Sequence, residues 1–130
     1  MTAYVIDASA AIRLAEAGWS GADELMAPTL LRSQTLSQLH ADAVAGRREA
    51  EEAFALLQRV DALPVRLLGD RVLRRNAWRV ADQLGWAQTE AAEFVALTLL
   101  HGDALLSGAP HLYAGADDLV RIAPVTDVVG

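Results

Sequence analysis

Asp7 stands where the apolar run Tyr4-Val5-Ile6 gives way to Ala8-Ser9-Ala10 and then to a helical pattern of Ala11, Ile12, Leu14 and Ala15. A carboxylate at such a junction has two uses. In an open α/β sheet it is delivered to the crevice beyond the strand ends, where ligands collect and a hard oxygen can hold Mg²⁺ or Mn²⁺. It can equally cap the following helix by accepting an N–H of the first turn, a task that Ser9 could also perform. Hydrolysis of a phosphodiester by a divalent cation needs several carboxylates converging from different elements, and sequence distance is no obstacle because the sheet gathers strand ends.

A second group with chemical potential is Arg71, Arg74, Arg75 and Arg79, spaced i, i+3, i+4 and i+8, with Arg66 nearby in sequence. The guanidinium fork suits phosphate, so this helix side reads as an RNA-facing patch or a docking strip for an acidic partner. The plainer reading is a solvated face paired with Asp70 and Asp82. His40, His101 and His111 occur singly, each near an expected helix end, which is the place of a surface or capping group. Ser9 and Ser107 lie in no Gly-x-Ser-x-Gly elbow, so serine hydrolase chemistry is disfavoured. The glycines form neither a P-loop nor a dinucleotide fingerprint. Trp19, Trp78 and Trp86 read as packing or interface residues.

The elements that must position these groups alternate between strands and helices. Ala3 to Ile6 reads as a buried strand, and a helix over about Ala10 to Ala17 stops at Gly18. Leu25-Met26-Ala27 is a short second strand. Pro28-Thr29 opens a helix that ends near Gly46, and Arg47 to Leu57 is helical, with Ala53, Leu56, Leu57 and Val60 on one stripe. Pro64 to Leu68 is a strand. The helix after Gly69-Asp70 buries Leu73, Ala77, Val80, Ala81 and Leu84 and stops at Gly85, and another spans Thr89 to Leu100. Asp103 to Ser107 is a buried strand, Pro110 to Ala114 a short helix, and Val120 to Val125 the last strand. This order predicts one α/β domain over residues 1–130: three layers, α/β/α, around a mainly parallel central sheet.

Composition narrows the function classes. The chain has no cysteine, which excludes disulfides and thiolate chemistry and fits a reducing compartment. No apolar run approaches the ~18 residues of a membrane span, so the expectation is a cytoplasmic protein with no membrane partner. A net charge of −6 argues against binding nucleic acid by bulk counterion release, so any RNA contact must be local. All 11 basic residues are arginine, a bias that decides nothing about function.

Taken in order, Val5-Ile6-Asp7-Ala8-Ser9-Ala10, Ala27-Pro28-Thr29-Leu30-Leu31-Arg32-Ser33, Ala92-Glu93-Phe94-Val95-Ala96-Leu97 and the terminal Val120 to Val125 segment resemble the PIN domain, in particular the VapC type of bacterial toxin. The resemblance runs over essentially the whole chain. It implies a PIN-like fold, Mg²⁺-dependent endoribonuclease activity, control by a cognate antitoxin and a homodimer. The family pattern places an acid at four positions. The first falls on Asp7, but the other three fall on Gln34, on Ala91 with Glu90 beside it, and on about Ala109.

Neutral residues at three of the four positions weaken a hard-cation site steeply, because ligand charge is a main determinant of affinity and Gln34 offers only an amide oxygen. Glu90 and Glu93, at i and i+3 on one helix, are the acids that could repair the site, and Asp103 is a further candidate. Glu90 is nevertheless rotated about 100° from Ala91, and Glu93 reads more simply as an ion-pair partner of Arg13 or Arg32. The expectation is a VapC-like protein of toxin–antitoxin type that is catalytically weak or inactive and acts by binding RNA or protein. The alternative is an active Mg²⁺- or Mn²⁺-dependent endoribonuclease using Asp7 with Glu90 and Glu93.

Overall fold

The structure, a computed structural model, describes residues 1–129. Five strands, β1 (Ala3–Ile6), β2 (Glu24–Pro28), β3 (Val65–Leu68), β4 (Ala104–Ser107) and β5 (Ile122–Pro124), form one sheet in the order β3-β2-β1-β4-β5, with every pairing parallel. The helices are α1 (Ala8–Glu16), α2 (Leu30–Val44), α3 (Ala50–Asp61), α4 (Arg71–Leu84) and α5 (Glu90–His101), with 3₁₀ turns at Pro110–Tyr113 and Val125–Asp127.

From β1 the chain moves outward to β2 and β3, then returns across the sheet to β4 and β5. Right-handed crossovers on the two halves therefore put helices on opposite faces. Accordingly α1, α2 and α3 pack on one another, while α4 packs on α5 and α5 lies on β1, β2 and β4. The fold is thus a three-layer α/β/α sandwich around a parallel sheet, as the alternation of elements predicted. Val5 pairs with Met26 on one side and Leu105 on the other, and all three are buried, because a strand covered by helices on both faces must be apolar throughout.

The order reverses at β1, so the carboxyl end of β1 is the switch point of the sheet, where a crevice opens between diverging connections. Asp7 follows directly. Its carboxylate caps α1, which therefore begins at Ala8 rather than near Ala10. The helix predicted from Arg47 starts instead at Ala50. The amides of Arg47 and Arg48 turn back to the Asp42 carbonyl, and their guanidinium groups bind the Asp42 carboxylate at 2.9 and 3.1 Å. Burial works against the charge on Asp42, but the bonds from Arg47, Arg48 and Gln38 outweigh it and hold its carboxyl below the usual range. The final strand is shorter than expected, since the amides of Leu119 and Val120 close a turn on the Ala116 carbonyl instead of joining the sheet.

Among the described residues no helix is long and apolar enough to cross a membrane. Where α5 gives way to β4, Gly102 passes so close to the central strand that an added Cβ would stand 2.9 Å from Val5 Cγ2 and 3.3 Å from the Thr98 Cα. Val5 is fully buried and has no room to yield. Gly102→Ala is expected to destabilise the fold by about 1–3 kcal/mol, read as a lower urea midpoint with an unchanged slope.

Candidate functional site

Asp7 is 4% exposed, and four donors converge on its carboxylate. Oδ1 accepts the Ala10 amide at 2.9 Å and the Ser9 hydroxyl at 2.7 Å. Oδ2 accepts the Ser107 hydroxyl at 2.5 Å and the Tyr113 phenol at 2.9 Å. An ionised carboxylate presents about four lone-pair positions, so each position has a protein donor. The two uses open to Asp7 in the sequence are therefore resolved in part: it is the helix cap, and Ser9 supports it rather than replacing it.

The serines also fasten the end of β4. Ser107 Oγ accepts the Ala109 amide at 2.9 Å, and Ser9 Oγ accepts the Gly108 amide at 2.9 Å. Each hydroxyl thus takes a backbone hydrogen from the turn after β4 and passes its own to Asp7, which leaves neither proton for the 3.5 Å gap between the two serines. Glycine suits this crossing, because a Cβ on Gly108 would press on the Ser9 side chain at 3.2 Å. Burial, then the charge of Asp7 and the hydrogen bond to it, push the Tyr113 phenol far above its ordinary value, so it stays a neutral donor.

Outside this cluster lies a cleft of about 1010 Å³ whose walls include Gln34, Ser37, Gln38, Trp86, Gln88, Glu90, Ala91 and Ala109. The positions that the sequence singled out as Gln34, Glu90, Ala91 and Ala109 are thus gathered around Asp7. The cleft wall is mainly neutral and rich in carboxamides. Gln38 is fixed by donating to Asp42 at 3.0 Å, so the α2–α3 turn also sets the wall of the cleft.

Glu93 is not part of it. It opens into a second groove of about 550 Å³ between α4 and α5, with Arg74, Arg75, Ala77, Trp78, Arg79 and Thr89. The grouping of Asp7, Glu90 and Glu93 is therefore divided by α5: the two glutamates stand about 60° apart by helical spacing, which is enough to place them on different sides of its first turn. Burial and then the charge of Glu90 raise the Glu93 carboxyl above its usual range, against the pull of Arg74. Arg74, rather than Arg13 or Arg32, is the cation acting on it. Asp103 is also removed from the site, since it accepts the Ala3 amide at 2.8 Å at the amino end of β1. Among the described residues no three histidine or acidic side chains converge as a metal-holding group.

The arginines separate in the same way. Arg74, Arg75 and Arg79 share the second groove, whereas Arg71 is exposed one turn earlier and does not line it. Asp70, expected to pair with them, instead caps α4 by accepting the Leu73 amide at 2.9 Å. Trp19 and Trp86 pack against the core as expected, but Trp78 is 68% exposed in the midst of the arginines. Sequence reasoning missed Tyr113 altogether. Its signal was a phenol in a short Pro-initiated segment of a chain with only 2 tyrosines.

No family model matches the chain, and no curated protein is significantly similar to it. Its structure is similar to the crystal structure of PAE2754 from Pyrobaculum aerophilum, with a TM-score of 0.73 and 22% sequence identity over 98% of this chain and 92% of that one. What the likeness shows is a shared fold. The name of that protein carries no activity.

Tyr113→Phe is expected to cost about 1.5–3 kcal/mol at neutral pH, the range for a hydrogen bond to a charged group. The folded chain keeps a phenolic proton that the unfolded chain releases near pH 10, so wild-type stability falls as pH rises above that point, by up to about 1.4 kcal/mol per pH unit. The phenylalanine variant lacks this term. Urea melts between neutral and strongly alkaline pH should show the gap between the two proteins narrowing; curves that stay parallel would remove the hydrogen bond from the account.

Proposed function

We propose that this chain is a VapC-like PIN-domain relative of toxin–antitoxin type that binds RNA in the cytoplasm without cutting it. The observation that carries this reading is the saturated carboxylate of Asp7. A hard divalent cation would have to take an oxygen lone pair from Tyr113, Ser107, Ser9 or the Ala10 amide, and the surroundings offer little in exchange: Gln34 has an amide oxygen, the Ala91 and Ala109 side chains have no ligand atom, and among the described residues Glu90 is the one further carboxylate lining the cleft. The residues present do not fit a resident Mg²⁺ or Mn²⁺.

Binding is supported by what the cleft and the neighbouring groove retain. The carboxamides of Gln34, Gln38 and Gln88 are neutral hydrogen-bonding groups, and three arginines stand on the far side of the first turn of α5. A protein partner, whether a cognate antitoxin or a second copy forming a homodimer, has an apolar face to cover between α2 and α3, where Leu36, Val44 and Phe54 are exposed around a groove of about 320 Å³.

Calorimetric titration with Mg²⁺ and Mn²⁺, paired with an RNA cleavage assay, tests the reading. The unaltered chain is expected to give neither binding heat nor cleavage. Combining Gln34→Glu and Ala91→Asp with Tyr113→Phe should create measurable Mn²⁺ binding, because it adds two charges and frees one lone pair. Metal-dependent cleavage by the unaltered chain that disappears on Asp7→Asn would establish the endoribonuclease alternative.

A further inference from the structure

The groove between α4 and α5 combines an exposed indole with a cluster of arginines. Trp78 exposes 68% of its area, and Arg74, Arg75 and Arg79 stand at i−4, i−3 and i+1 from it on the same helix. Among the described residues none of the three arginines lies within ion-pair distance of a carboxylate, and the salt bridges of Arg47 and Arg48 to Asp42 and of Arg48 to Glu16 are made elsewhere. Among the described residues Glu93 is the one acid lining the groove. Its charge partly offsets that of Arg74, and neither Arg75 nor Arg79 makes a salt bridge among the described residues. The chain as a whole carries a net charge of −6, so this is a local reversal of sign.

We propose that this groove is a binding site for single-stranded RNA, in which a base stacks on the Trp78 indole while the flanking phosphates are held by Arg74, Arg75 and Arg79. An exposed indole gives an unpaired base a flat apolar partner whatever its sequence, and arginine supplies forked donors to phosphate oxygens. A duplex buries its base faces and cannot use the indole, which selects for an unpaired strand. An acidic peptide would satisfy the arginines but leave the ring without a planar partner. Thr89 lines this groove while Gln88 and Glu90 line the Asp7 cleft, so a strand leaving the groove over the first turn of α5 meets the carboxamide wall next.

The site deepens the proposed RNA-binding function but is tested apart from it. Binding of a short single-stranded oligoribonucleotide is followed by tryptophan quenching in EDTA, where no metal-dependent cleavage occurs, so a failure of the non-cleaving reading leaves this measurement intact. Trp78→Ala should weaken binding about tenfold and abolish most of the quenching, and Trp78→Phe should retain part of the affinity. Each of Arg75→Gln and Arg79→Gln should lower the slope of log affinity against log salt by about 0.7.

Glu93→Gln should tighten binding, because it removes the carboxylate that lines the groove beside the arginines. These side chains are exposed or half-buried, and far-UV circular dichroism together with unchanged urea midpoints confirms folding of the variants. Absence of binding, affinity indifferent to Trp78→Ala, weaker binding on Glu93→Gln, or equal affinity for a polyglutamate peptide or for duplex RNA would each overturn the assignment.

Discussion

A charge buried at the carboxyl end of the central strand has to be answered by donors, and the answer given to Asp7 organises one end of the molecule. Its donors come from three places: the first turn of α1, the end of β4, and the 3₁₀ turn that follows. Each ties a different piece of chain to the switch point of the sheet. The serines extend the network by one bond each into the backbone after β4. A buried polar cluster of this kind is favourable only when every member is satisfied, and among the described residues no buried side-chain nitrogen or oxygen is left without a partner.

The same satisfaction that stabilises the fold competes with metal chemistry. In a cation site a carboxylate keeps lone pairs directed into the open cleft, and the protein accepts the repulsion between neighbouring acids because the ion repays it. Here the lone pairs point at hydroxyl and amide hydrogens, and the positions where the PIN resemblance expects further acids hold Gln34, Ala91 and Ala109. Tyr113 is decisive in this competition. Its phenol is buried, neutral and held against Oδ2, so an incoming ion would have to displace a donor that has no solvent to turn to.

The architecture was legible in the sequence because a parallel sheet leaves a strong record: short apolar runs at the positions of β1, β2, β3 and β4, separated by helical stripes and stopped by Gly18, Gly46 and Gly85 at positive φ. Element ends were less legible where side chains rather than periodicity set them. The Asp42 cluster delays α3 to Ala50, and the turn closing on Ala116 shortens β5. At the site, Gln34, Ala91 and Ala109 do line one cleft with Asp7, because a parallel sheet gathers its connections at the switch point. The separation of Glu90 from Glu93 was not legible, since i, i+3 spacing says that two residues are neighbours and does not say that a helix edge runs between them. Tyr113 lies 106 residues from Asp7 in sequence, and no local pattern announces so distant a hydrogen bond.

Neutral residues around Asp7 bear on binding as well as on cutting. An acid-lined cleft attracts a phosphodiester only when a cation is present to reverse its sign; without the ion it repels the strand it is meant to hold. With Gln34, Ala91 and Ala109 on its wall and the Asp7 carboxylate buried among four donors, the cleft presents little of that barrier. The remaining repulsion comes from Glu90 at its rim and from Glu93 across the helix, and the arginines of α4 lie beside the latter. On the proposed reading, the features that deprive this fold of a metal also free its RNA contacts from dependence on one. A surface of this kind responds to monovalent salt through its few arginines and is indifferent to magnesium beyond simple screening, the opposite of what a metal-bridged complex would show.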